Sequence, residues 1–214
     1  MGKGVYTRHR ENQRALILET AEELFIQIGI DKVTVSDISR AARITKPTIY
    51  KYFEGKAEIA TEIFKGIAKG WIERNAREAW NTDGTGFEII ERFFISHFNH
   101  LFSNLREARF VAEFNHLYAR ELPASKANEL FVANLEGDEK QLKKAILDGF
   151  EDGSIRSDIK AEQLEVYIFN FISALMNRLG EFGVKLDAEY EMEAGTAFTG
   201  SYRIFLDGLK PSAK

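Results

Sequence analysis

The stretch TVSDISRAARITKPTIYKYFEGK, residues 34–56, decides the fold. Thr34 and Asp37 stand at the spacing of a capping box, in which an N-cap hydroxyl and a side chain three residues on satisfy each other's free amides. Val35, Ile38 and Ala42 then form the buried stripe of a short helix. Arg43-Ile44-Thr45 reads as a turn, with Thr45 the N-cap of the next helix and Pro47 tolerated in its first turn. Ile49 and Phe53 face inward from that helix, and Glu54-Gly55 breaks the chain before Lys56 starts a longer one. Upstream, Ile17, Ala21, Leu24 and Ile28 fall at steps of 4, 3 and 4, which predicts a helix over 15–28 stopped by Gly29. Two short helices joined by a three-residue turn and packed on a longer first helix make a helix-turn-helix.

The second short helix of such a unit lies in the major groove of DNA. Its expected exposed residues are Thr45, Lys46, Thr48, Tyr50, Lys51 and Tyr52, whose hydroxyls and ammonium groups reach phosphates and base edges. Lys56 meets a phosphate where free helix amides already favour an anion. Spacing alone leaves a second reading open, a plain three-helix packing unit with a solvated basic face. Charge leans toward the first. Residues 1–56 carry ten basic and seven acidic residues, a balance of +3, whereas the remaining 158 hold 19 basic and 26 acidic, a balance of −7.

The same stretch resembles the DNA-binding signature of TetR/AcrR-type bacterial transcription regulators, roughly T-x-x-x-I-A-x-x-A-G-V-S-x-G-T-L-Y-x-Y-F-x-x-K. Thr34, Ile38, Ala42, Thr48, Tyr50, Tyr52, Phe53 and Lys56 fall on that pattern directly, and Ile44, Thr45 and Ile49 are close substitutes. The likeness covers about 45 residues. Residues 152–158, DGSIRSD, are also similar to the loop before the family's penultimate helix. By this resemblance Thr34, Tyr50, Tyr52 and Lys56 go mainly to phosphates, while Thr45, Lys46, Pro47, Thr48 and Lys51 lie near bases. Lys3, Arg8, His9 and Arg10 either add minor-groove or phosphate contacts or form a disordered charged arm. Arg43 departs from the pattern by replacing the turn glycine. It either adopts a left-handed conformation at roughly 1–2 kcal/mol, shapes the turn differently, or stays because its guanidinium reaches a phosphate. Pro47 replaces another glycine and stiffens the start of the recognition helix.

Beyond the head, the chain reads as helical throughout. Only three prolines occur, at 47, 123 and 211. Helices are expected at 56–80, 87–104, 105–121, 125–152 with a kink at Gly137, 161–182 and 188–208, with a loop at 81–86 and Pro123 closing the sixth. The result is an all-α architecture of about nine helices, with residues 1–56 as the DNA-binding domain and 57–214 as a ligand-binding and dimerisation domain. The resemblance implies a homodimer through the last two helices, 161–182 and 188–208. That suits the apolar stripe of Leu164, Ile168, Phe171, Leu175 and Phe182 and the small side chains of Ala194, Ala197, Gly200 and Ser201. Such a dimer sets its recognition helices about 34–36 Å apart and reads a palindromic operator on double-stranded DNA.

Residues 87–118 are rich in aromatics, and an apolar cavity with a few polar groups is the usual small-molecule site. The candidate ligand-binding residues are Phe94, His97, Phe98, Leu101, Phe110, Phe114, Leu117 and Tyr118, with His100, Asn115 and His116 as further polar anchors. The bland reading makes each phenylalanine simply core. No acidic or thiol ligand joins His97, His100 and His116 at a telling spacing, so neither metal nor cofactor is expected.

Composition bounds the rest. Hydrophobic residues are 44% and charged residues 29% of the chain, the balance of a soluble globular protein. The absence of cysteine removes disulfides, thiolate zinc sites and cysteine nucleophiles together. The polar, basic N-terminus predicts no signal peptide, and Tyr6 stands where a myristoylation signal has Ser or Thr. The longest uncharged run, 93–105, is too short for a span of about 20 residues, so no membrane association and a cytoplasmic location are expected. No Ser/His/Asp, paired-carboxylate or phosphate-loop arrangement points to an enzyme. The function expected is a repressor released from its operator by an unidentified, small and largely apolar effector. The alternative is a DNA-bound adaptor of the same fold that recruits a protein partner without a ligand.

Overall fold

The computed structural model describes residues 2–80, 83–118, 124–183, 185 and 193–211. Nine α-helices occur among them: α1 (Gly2–Ile28), α2 (Val35–Ala42), α3 (Lys46–Ile49), α4 (Lys56–Asn75), α5 (Gly86–Ser103), α6 (Leu105–Tyr118), α7 (Ala124–Glu151), α8 (Ala161–Phe182) and α9 (Ala194–Asp207). α4 runs on into a single π-helical turn, Ala76–Trp80. No strand occurs among the described residues.

Helix α1 begins thirteen residues before the predicted start. Residues 5–14 carry no apolar stripe for periodicity to detect, but they hold neither Gly nor Pro, so the helix propagates through them. The buried face of α1 also differs from the expected one. Ile17, Ala21 and Phe25 are buried, Leu24 is half-buried and Ile28 is exposed. The chain leaves α1 at Gly29, whose φ of +108° is available to glycine and strained for other residues. Helix α7 runs without a break through Gly137. Pro123, residues 81–82 and positions 188–192 of the last expected helix lie outside the described residues, as does the side chain of Lys3.

Two apolar clusters hold the helices together. The first joins Ile17, Ala21 and Phe25 of α1 to Ile38, Ile49 and Phe53 of the short helices and their turn, and continues along α4 through Ile59, Ile63, Phe64 and Ile67. It then takes in Phe110, Val111 and Phe114 of α6. The core of the head therefore does not end at residue 56. The second cluster lies in the body, where Phe93, Phe94, Phe98 and Leu101 of α5 pack against Leu164, Ile168 and Ile172 of α8 and Phe198, Tyr202 and Leu206 of α9.

Helices α6 and α8 touch almost backbone to backbone. A Cβ at Gly180 would stand 2.3 Å from the carbonyl oxygen of Ala108 and 2.6 Å from the Ala112 methyl, so only glycine fits. The loop after α7 ties its end to the start of α5. Asp152 and Ser154 accept bonds from the free amides of Gly86 and Phe87, at 2.8 and 3.1 Å.

Candidate nucleic-acid interface

The helix-turn-helix is assembled by local hydrogen bonds. Asp37 N donates to Thr34 Oγ1 at 3.2 Å and Thr34 N donates to Asp37 Oδ2 at 3.0 Å, completing the expected capping box. The Thr34 hydroxyl, which also donates to Asp37 Oδ2, and then the Thr34 amide hold the Asp37 carboxyl below the usual carboxylate range. In the turn, Arg43 takes φ 55° and ψ 36°, the left-handed conformation foreseen for a side chain at the glycine position. It is the sole non-glycine residue with positive φ among those described. Its amide caps α2 by donating to the carbonyls of Ser39 and Arg40. The Ser39 hydroxyl crosses the turn to the Ile44 carbonyl at 2.6 Å.

Thr45 caps the recognition helix, accepting from Thr48 N at 3.4 Å, with Pro47 in the first turn. The helix proper spans only residues 46–49, but Tyr52 and Phe53 both donate to the Ile49 carbonyl and carry the coil on to residue 53. Ile49 and Phe53 anchor it in the core. On its outer surface Thr45, Lys46, Pro47, Tyr50 and Lys51 are exposed, Tyr50 to 54%. Arg43 is exposed beside them, and Arg8, His9 and Arg10 are exposed on the first turns of α1. The arm expected there as an alternative to DNA contacts is helical from residue 2.

Five sequence-assigned contacts, Thr45 among them, have protein partners. Thr48 is half-buried, its hydroxyl 2.9 Å from that of Thr45. The Thr34 hydroxyl is bonded within the capping box. The Tyr52 hydroxyl donates to Gln13 Oε1 at 2.8 Å, with Arg10 over its ring at 5.9 Å. Lys56 Nζ donates to the carbonyls of Ile30 and Asp31, at 2.7 and 3.1 Å, and so clamps the turn after α1. Arg14, which the sequence reading did not single out, pairs with Glu62 of α4 and lies over the Phe53 ring at 5.2 Å. Its partners lie 39 and 48 residues downstream, beyond any local pattern.

The eight candidate ligand residues do not share one site. Phe94, Phe98 and Leu101 are buried in the body cluster, whereas Phe110 and Phe114, with Leu117 and Tyr118 against them, belong to the cluster shared with the head. Phe114 stacks on Phe64 at 4.5 Å and Phe110 faces Phe25 at 6.3 Å. In the body, Phe98 stacks on Tyr202 at 5.5 Å and Phe171 on Phe205 at 4.2 Å. His97 bridges the clusters, with its ring edge-on to Trp71 and its Nε2 3.0 Å from Met176 Sδ. Burial, helped by the charges of His100 and Arg74, lowers its pKa to about 4. His97 is therefore neutral at pH 7. His100 Nε2 lies 2.9 Å from Glu107 Oε2, Asn115 Nδ2 donates to Asn177 Oδ1, and His116 is exposed. Among the described residues no group of His, Asp and Glu converges as a metal site would require.

A buried polar network went unseen in the sequence. Asp138 of α7 accepts from Asn75 Nδ2 at 2.9 Å and from Trp80 Nε1 at 2.6 Å, at the π-helical turn that ends α4. Burial raises its pKa against the lowering effect of those two bonds.

A capped helix-turn-helix head with an exposed basic recognition surface, set on a helical body, defines the class of DNA-binding regulators. Residues 17–63 match the family described as bacterial regulatory proteins, tetR family. The chain is 29% identical over 171 residues to the HTH-type transcriptional repressor KstR2 of Rhodococcus jostii, covering 73% of this chain and 74% of that one. It is 22% identical over 170 residues to the HTH-type transcriptional regulator TtgR of Pseudomonas putida, covering 78% and 80%. Among solved structures, its fold is similar to the regulator FadR from Bacillus subtilis in complex with stearoyl-CoA (TM-score 0.68, 21% identity, 90% and 96% covered). It is likewise similar to the ketosteroid transcriptional regulator KstR2 of Mycobacterium tuberculosis (TM-score 0.65, 18% identity, 92% and 94% covered). Residues 17–63 thus carry the DNA-binding region of the tetR family, and over about three quarters of its length the chain is similar to HTH-type transcriptional regulators. No helix among the described residues is long and apolar enough to cross a membrane.

Proposed function

We propose that this regulator is a homodimeric repressor that binds a palindromic operator through residues 1–56. It is released when a small, largely apolar ligand enters the body formed by residues 57–214. The observation that carries the reading is the outer surface of the recognition helix. There Thr45, Lys46, Pro47, Tyr50 and Lys51 stand exposed on a backbone fixed at both ends by caps. Arg43 adds its guanidinium at the edge, and Thr34, Thr48, Tyr52 and Lys56 set the orientation of the surface through their protein partners.

Dimerisation through α8 and α9 has support in what those helices leave uncovered. On α9, Ala197, Gly200, Ser201 and Ile204 share a face, a Cβ on Gly200 would meet nothing within 4 Å, and Ile204 is 78% exposed. On α8, Val166 and Tyr167 are exposed. Small residues beside bare apolar ones suit close helix packing against a second copy. The ligand reading rests on the aromatic cluster around Phe94, His97, Phe98 and Leu101, and on the similar fold of a regulator solved with stearoyl-CoA. A ligand that prefers a dimer with its heads out of register lowers operator affinity by the same differential free energy, about 1–3 kcal/mol. The continuous cluster from α1 through α4 to α6 supplies the connection.

Selection of bound genomic fragments by the purified protein across a salt series tests the proposal. A recurring palindrome with half-sites one helical turn apart, retained with modest salt loss, is the expected result. Fragments with no shared sequence, lost by about 0.2 M salt, would mean that only phosphate contacts hold and would favour the adaptor.

A further inference from the structure

A half-open groove of about 340 Å³ lies where the head meets the body, between α1, α4 and α6. It shares no residue with the aromatic candidates for the effector. Leu18, Ile63, Ile67 and Trp71 give it an apolar floor, and Gly66 and Gly70 leave that floor open, with nothing within 4 Å of where a Cβ would stand. Three carboxylates line it, and they are not equivalent. Glu62 is neutralised by Arg14 and Lys65. Glu107 receives the Trp71 indole N–H at 3.1 Å and has His100 Nε2 at 2.9 Å, both at Oε2. Glu22 is half-buried and has no hydrogen-bonding or ion-pair partner among the described residues. Burial, and then the negative charges of Glu107, Glu19 and Glu23, push its carboxyl above the usual range. The single cation lining the groove is Arg74.

An anion half out of water, crowded by like charges and set over an apolar floor, calls for one kind of occupant. We propose that this groove is a second ligand site, for an amphipathic organic cation. Its ammonium sits between Glu22 and Glu107 beside the Trp71 ring, and its hydrocarbon lies along Leu18, Ile63 and Ile67. The cation offsets the uncompensated negative charge, the indole face adds a cation–π contact, and the floor takes the apolar part. The walls belong to different parts of the molecule, with Leu18 and Glu22 on α1 of the head and Glu107 on α6 of the body. Occupancy therefore changes the seating of the head. That last consequence rests on the operator reading above, whereas binding itself does not.

Calorimetric titration of the intact protein with octyltrimethylammonium, against octanoate as the anion of matching chain length, tests the site. The cation is expected to bind at least tenfold more tightly than octanoate. Glu22→Gln should weaken it at least tenfold, and Gly66→Leu, which fills the floor while favouring the helix, should abolish it in a protein that still folds. Equal or tighter binding of octanoate would overturn the proposal in favour of Arg74 and an anion. No heat with wild type, or binding indifferent to both substitutions, would overturn it outright and leave the operator reading intact. Operator affinity measured with saturating cation is expected to change at least fivefold in wild type and not in Gly66→Leu. An unchanged wild-type affinity would overturn the coupling to the head.

Discussion

The turn of the head and the packing of the body are held by contacts of different range. In the head, the turn is specified by residues three to five positions apart, Thr34 with Asp37, Ser39 with Ile44 and Thr45 with Thr48. In the body, Phe98 meets Tyr202, Gly180 meets Ala108, and Asp138 meets Asn75 and Trp80, all across more than fifty residues. A DNA-reading surface built on short-range bonds keeps its shape while the structure behind it moves. A body built on long-range packing of bulky rings is sensitive to what enters it.

This contrast predicts that body substitutions cost more than head substitutions. The largest expected effect is at Gly180, where any side chain meets the backbone of α6. Gly180→Leu should cost about 4 kcal/mol, read as a fall in the urea midpoint, and a loss below about 1 kcal/mol would show that α6 and α8 part easily.

His97 should give the body a pH dependence of its own. Its native pKa, about 4, lies below the ordinary value of 6.5, so between those limits the unfolded chain takes up a proton that the native state refuses. Stability should therefore fall as pH drops from about 6.5 to about 4, by about 3 kcal/mol in all. Asp138, whose native carboxyl holds its proton more readily, contributes with the opposite sign. The comparison is thus wild type against His97→Gln in urea titrations at pH 7 and 4.5, and equal pH dependence in the two would remove His97 from the account.

Asp138→Ala leaves the Asn75 amide and the Trp80 indole without their acceptor, and should cost about 2 kcal/mol in the same assay. The smallest effect is expected in the head. Arg43→Gly relieves a left-handed side chain but restores freedom to the unfolded chain, a net gain of about 1 kcal/mol or less in thermal stability. A loss of stability there would mean that Arg43 makes contacts worth more than its strain.

The same difference in range accounts for how much was legible in the sequence. Both helices of the helix-turn-helix, the capping box and the buried Ile38, Ile49 and Phe53 followed from neighbours a turn apart, while the left-handed Arg43 was one of three readings that the family resemblance left open. A second capping box, Thr85 with Glu88 at the start of α5, carried the same signal and was passed over. The partners of Lys56 and Tyr52 could not be read, because a lysine or tyrosine at those positions looks the same whether it faces a phosphate, the Ile30 carbonyl or Gln13. The aromatic run 87–118 supplies candidates for one ligand site from two expected helices. It folds as two helices facing different clusters, because the break at Asn104 turns α6 toward the head.

The central claim is that the exposed residues of the recognition helix read DNA. Its most direct test is the operator affinity of wild type, Lys46→Ala and Tyr50→Ala on a selected fragment, with thermal midpoints measured beside it. Both side chains point away from the core, so the midpoints should stay within about 0.5 kcal/mol of wild type. Operator binding should fall at least a hundredfold in each. Unchanged affinity in both variants would contradict the assignment of this surface to DNA.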